Sequence, residues 1–163
     1  MKKLFIYLLL LLPLAIASCG SDEPQTNTTK DPDGTILVNI NVDDYTYAGG
    51  CGIELLKDLN FMESRSEGKS ISIVGPVKGI GKINVTSSQV NSLTWTDRAA
   101  AIVGYGYIFK IDNHHEYNES LGKSEYFYDY YAVYVSSEIV STSGGVMGFT
   151  LKVRKILENI KAN

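Results

Sequence analysis

Histidine and cysteine are nearly absent from this chain, and most metal and nucleophilic chemistry is excluded with them. Among 163 residues there are two histidines, two cysteines and one tryptophan. His114 and His115 are adjacent, with Glu116 following. Neighbours on an extended chain point to opposite sides, so the pair cannot turn both rings to one metal without a sharp bend. No second Cys or His cluster supplies further ligands, and neither a metal nor a cofactor is expected. A Gly-x-Ser-x-Gly elbow is missing, which leaves Ser143 in Thr142-Ser143-Gly144-Gly145 without its usual setting. Cys51 with either histidine and an acid such as Asp129 would need a proximity that no spacing indicates. Phosphate loops fail as well. Glu67-Gly68-Lys69-Ser70 has Glu63 where the first glycine belongs, and Gly104-x-Gly106 has Phe109 in place of its third. Asp31-Pro32-Asp33-Gly34 opens like a calcium loop but lacks the downstream acids, so it reads as a turn. Acidic loop residues such as Glu116, Glu119, Glu125 and Asp129 could form a glycosidase pair only through spatial separation, which sequence does not give. No catalytic residue is assigned.

What is present begins with a leader. Lys2 and Lys3 precede an apolar run over residues 4–16, which closes on Ile16-Ala17-Ser18-Cys19. A run of about a dozen residues is too short to cross roughly 30 Å of hydrocarbon as a helix, so it reads as a secretory signal. Small residues followed by Cys resemble the lipobox of bacterial lipoproteins, which implies cleavage after residue 18 and acylation of Cys19. Several acyl chains on one residue would hold the chain to a membrane far more firmly than one. Residues 19–33 are polar and acidic, with nothing to bury, and read as a tether. Ser21-Asp22-Glu23 resembles the export signal of surface-displayed Bacteroidetes lipoproteins. The expected location is therefore the outer membrane, facing the cell surface, with the periplasmic face as the other choice.

Without residues 1–18, 13 basic and 18 acidic side chains remain, a net charge of about −5. Such a surface has no electrostatic footprint for phosphate backbones, so nucleic acid is not an expected partner. With Cys19 lipidated, no intrachain disulfide is available. Cys51, in Gly49-Gly50-Cys51-Gly52, is expected to be buried at a strand start.

Residues 34–154 carry the alternation of β-structure. Residues 35–42 have one apolar parity, and further strands are expected at 53–56, 70–74, 80–85, 98–103, 105–109, 126–140 and 146–153. Turns are expected over residues 43–52, at Gly75-Pro76 and over residues 141–145, and a helical turn at 59–62. A bulge is expected near Gly79 and Gly81. Residues 112–124 read as a polar loop and 155–163 as a tail with at most one helical turn. About eight mostly antiparallel strands predict a single all-β domain, a sandwich or a small partly open barrel.

Gly34-Thr35-Ile36, Gly79-Ile80-Gly81-x-Ile83, Trp95, Gly104-Tyr105-Gly106-Tyr107-Ile108, Tyr134-Val135 and residues 141–148 together resemble a family of Bacteroidetes lipoproteins of unknown function. The likeness spans nearly all of residues 34–154 and implies fold and compartment, not mechanism. The two histidines lie in a stretch outside that pattern.

The most particular signal is aromatic. Tyr126, Tyr128, Tyr130 and Tyr134 share one parity of a strand, and Phe127, Tyr131, Val133 and Val135 the other. With the second set inward, the first forms an outward row of flat rings with hydroxyl edges, suited to sugar faces or a protein partner. Trp95 joins it as a candidate contact. The expectation is a non-catalytic, membrane-anchored module that binds a glycan, an envelope component or a protein. An envelope hydrolase acting on glycan or peptide, and a structural component of a surface assembly, are the alternatives.

Overall fold

The computed structural model describes residues 31, 33–62, 72–78 and 85–162. The expected signal peptide, Cys19, nearly all of the expected tether, the glycines at 79 and 81 and most of the strand expected at 80–85 lie outside them. Among the described residues, nine strands and one short helix make two antiparallel sheets that do not close into a barrel. Five strands form the larger sheet in the order β1 (Ile36–Asn41), β9 (Val146–Lys161), β8 (Lys123–Val140), β7 (Tyr105–Asn118), β5 (Ser72–Lys78). Four form the smaller: β2 (Asp44–Ala48), β3 (Cys51–Leu55), β4 (Asn60–Met62) and β6 (Ala99–Ala100).

Alternation decides which side chains meet. Val38 and Ile40 of β1, Tyr107 and Phe109 of β7, Tyr131, Val133 and Val135 of β8, and Phe149, Leu151 and Val153 of β9 face the smaller sheet. Against them lie Ala48, Cys51, Ile53, Leu55, Phe61 and Ala99. This is the packing of a sandwich, with inner faces apolar and outer faces mixed. Phe61 sits at its centre, edge-on to Tyr107, Phe109 and Phe149 at ring distances of 5.5, 6.2 and 6.2 Å. Cys51 starts β3 and is fully enclosed, as its setting suggested.

Several elements are longer than their polarity indicated. The loop expected over residues 112–124 is the far half of a hairpin, with β7 reaching Asn118 and β8 starting at Lys123. Its turn is closed by the Leu121 amide donating to the Asn118 carbonyl and side chain, both at 3.2 Å. β9 likewise runs on through the presumed tail to Lys161, paired with Phe127. Where β7 and β8 project past the sandwich, the paired strands satisfy their own backbone and can be polar on both faces, and in β9 register shifts opposite Tyr128, Tyr130 and Tyr131 interrupt the alternation while the ladder continues.

Other expectations give way to local geometry. Residues 43–52 are not one long turn: β2 and β3 form a hairpin around Gly49 and Gly50, with φ of 59° and 106°. Positive φ at both central positions belongs to the tight turn that suits strand twist. The helical turn expected at 59–62 is strand β4. Gly75-Pro76 lies within β5, an edge strand that accommodates proline with a bulge between Val74 and Val77. The strand expected over 98–103 shrinks to Ala99–Ala100, because the Ile102 amide donates to the Tyr107 hydroxyl at 2.9 Å.

Candidate binding face

The outer side of the five-stranded sheet carries the tyrosine row. Tyr130 faces away from the inter-sheet core, opposite in direction to Tyr131. The row is not uniformly open. Tyr126 is 50% exposed, Tyr128 and Tyr134 are half-buried, and Tyr130 is only 3% exposed. Tyr130 therefore leaves the exposed platform expected from parity: it packs with Val90, Ile108, Trp95 and Leu157 in a second apolar cluster.

The segment before β6 supplies that cover. Helix α1 (Ser87–Val90) starts where the Thr86 amide donates to the Gln89 side chain at 2.8 Å, one half of a capping box. Val90 is its buried anchor. Thr96 then exchanges backbone hydrogen bonds with Ile73 of β5 at 2.8 and 2.9 Å. This fixes Trp95 over the sheet, its ring 5.9 Å from that of Tyr130 and tilted by 42°.

Lys110 of β7 lies among these rings. Its ammonium is 3.9 Å from the centre of Tyr128 and 5.7 Å from that of Trp95. Burial pushes this ammonium below its ordinary pKa, with Asp112 acting the other way. Tyr128 and Tyr130 are raised, mainly by burial; Asp112 and Tyr126 add to the first, and Tyr128 to the second. The phenols thus stay protonated and can donate. Trp95, Lys110 and Tyr128 form a ring-flanked cation, which is electrostatically favourable at a partly desolvated site.

A bulge between Asp112 and His114 continues this face along the projecting hairpin. It carries His115 to Tyr126, with ring centres 5.9 Å apart. His114 stacks instead on Phe127, 4.6 Å apart and within 7° of parallel, and its Nε2 is 3.3 Å from Glu116. The two histidines thus serve different aromatic partners. Among the described residues no group of three or more His, Cys, Asp or Glu could hold a metal ion.

The nucleophile combinations considered from the sequence are not assembled here. Cys51 is enclosed between the sheets, whereas both histidines are exposed. Ser143 occupies the β8–β9 turn, its Oγ 2.8 Å from that of Ser141. Asp129 is a structural carboxylate at the bulged β8–β9 pairing. It accepts from Lys155 at 2.8 Å, the Asn159 amide at 2.9 Å and the Asn113 side chain at 2.9 Å. Burial opposes its charge, but these three donors outweigh burial and hold it below its ordinary pKa.

Two features escaped the sequence reading. Lys110 matters because of rings from two other elements, a relation with no signature along the chain. Tyr45 and Tyr47, 48% and 63% exposed on β2, alternate with buried Thr46 and Ala48. That period of two was visible, but Asp43-Asp44 and Gly49-Gly50 bracket it so closely that the stretch resembled a turn.

No family model, no curated protein and no solved structure matches this chain. Function must be argued from the face itself.

Proposed function

We propose that this chain is an outer-membrane lipoprotein, acylated at Cys19 and facing the cell surface, whose all-β domain is a non-catalytic glycan-binding module. The observation that carries the binding reading is the Trp95–Lys110–Tyr128 group with Tyr126 left half open beside it. Ring faces match the apolar C–H faces of sugars, while phenol and ammonium groups at their edges serve the hydroxyls. A glycan array probed with the full chain and with Trp95→Ala and Tyr126→Ala tests it. Binding that weakens about tenfold or more in each variant supports the face, a loss equal to about 1.4 kcal/mol. Full retention in both removes it. Protease shaving of intact and lysed cells tests the location separately, and acyl labelling of Cys19→Ala tests the anchor.

A second reading, membership in a surface assembly, is favoured by the projecting hairpin. Among the described residues, β7 beyond Lys110 has no neighbour on the β5 side, and β9 beyond Val153 none on the β1 side. Such edges can receive a strand from another chain. Concentration-dependent oligomers that disappear on Tyr117→Pro would support this reading.

A further inference from the structure

Where β1 begins, the two sheets leave a cavity of about 220 Å³. It lies between the start of β1, the β2–β3 turn and the β8 and β9 positions around Tyr131 and Lys155. Its buried wall is Ala48, Val153 and Tyr131, each no more than 2% exposed. Its rim carries Asp33, the Gly49 backbone, Arg154 and Lys155.

The polar groups are balanced in charge and in hydrogen-bonding role. Tyr131 belongs to the core and lines this cavity, and its hydroxyl donates to the carbonyl of Gly49, another lining residue, at 3.3 Å. That is longer than the usual O–H···O distance of about 2.7–2.8 Å, so a better-placed acceptor could replace the carbonyl. A side chain at Gly50 would collide with this hydroxyl, and glycine there keeps the position open. Lys155 already donates to Asp129 and to Glu158, at 2.8 and 3.0 Å, so its charge is matched before any ligand arrives. Arg154 and Asp33 add one charge of each sign. Donors and acceptors of both kinds therefore surround an apolar wall, and the two cations Arg154 and Lys155 stand beside three carboxylates, Asp33, Asp129 and Glu158, so the charges nearly cancel. An ion would gain little here, whereas a neutral molecule with several hydroxyls and an apolar face could satisfy the whole lining.

The size is equally restrictive. Pockets that enclose drug-sized ligands run to roughly 300–1,000 Å³, so this one admits a single ring. We infer that the cavity is a binding site for one neutral sugar ring, with Tyr131 as the buried donor and Asp33 and Arg154 at its mouth. It shares no residue with the Trp95 face, so the two readings stand or fall separately.

Saturation-transfer NMR on the full chain, with glucose, galactose, mannose, glucuronate and glucosamine as probes, tests this. The expected result is transfer to at least one neutral hexose, with affinity reduced about tenfold by Tyr131→Phe and unchanged by Trp95→Ala. Tyr131→Phe removes only the hydroxyl; if it fails to fold, Arg154→Gln on the rim provides the same reading. No transfer to any neutral hexose at millimolar concentration overturns the inference, and so does preference for glucuronate or glucosamine. Binding lost with Trp95→Ala but kept with Tyr131→Phe would move the sugar to the outer face and equally overturn the cavity site.

Discussion

The two faces of β8 are built from the same kind of residue and end in different states. Inward, Val133 and Val135 meet a second sheet and are completely covered, and Tyr131 borders the cavity at the end of the sandwich. Outward, the short segment that bears Trp95 closes over Tyr130 and leaves Tyr126 half open, with Tyr128 and Tyr134 half-buried between these extremes. Strand parity fixes the direction of a side chain, but its exposure depends on which other element comes to rest there. The inner face away from the end cavity is therefore where stability should reside, and the Trp95 side of the sheet is where the exposed rings should bind.

The largest effect should come from the inner side. Phe61→Ala removes the ring that touches Tyr107, Phe109 and Phe149, and should cost about 3–5 kcal/mol in urea unfolding. A loss below about 1 kcal/mol would mean that the smaller sheet does not close the core.

Next come the buried ionisable groups. Asp129→Ala leaves Lys155, the Asn159 amide and the Asn113 side chain without their shared acceptor, at a cost of about 2–3 kcal/mol. Because the folded carboxyl lies below its ordinary 3.8, its contribution is present above that value. It should fade as pH falls further, through the folded pKa, and an acid titration followed by circular dichroism should lack that component in the variant. Tyr131 behaves in the opposite sense. Burial is the main cause that raises its phenol from 10.0 to about 12, against the pull of Lys155. Its contribution is complete below pH 10 and disappears as pH climbs through about 12, so Tyr131→Phe should flatten the alkaline limb of the stability curve.

The outer face should yield smaller losses of stability and larger losses of binding. Trp95→Ala should cost about 1–2 kcal/mol, since the ring is only partly covered, and should expose Tyr130 to quenchers of tyrosine fluorescence. Tyr126→Ala should change stability by less than about 0.5 kcal/mol while still weakening glycan binding. If Tyr126→Ala unfolds the domain instead, the division of labour between the faces is wrong.

How far the sequence could be read follows from the same contrast. Residues 35–42 and 126–135 alternate because one face of each is pressed against apolar neighbours, and both strands were plain. Residues 112–118 do not alternate, since they pair beyond the edge of the core, and in residues 155–161 register shifts opposite Tyr128, Tyr130 and Tyr131 break the parity of Ile156, Leu157 and Ile160; the two stretches resembled a loop and a tail. Which set of tyrosines would face inward could be inferred from Phe127, Val133 and Val135 sharing the parity of Tyr131. That Tyr130 would be covered could not, because Trp95 is 35 positions earlier and no local spacing links the two. Lys110 and the cavity beside Tyr131 were illegible for the same reason: each is made by side chains from separate elements.

The pairing of β1 has a mechanical consequence. All six of its residues, from Ile36 to Asn41, are paired antiparallel with β9 between Val153 and Gly148. The chain enters β1 at Ile36, the end of the strand nearer to the projecting hairpin. A pull on that entry directed along the strand loads hydrogen bonds that run perpendicular to it, so the six positions share the force together instead of opening one after another. If the domain is held by its N-terminal side while something tugs on the outer face, it meets the load in shear, the direction in which a short strand resists best.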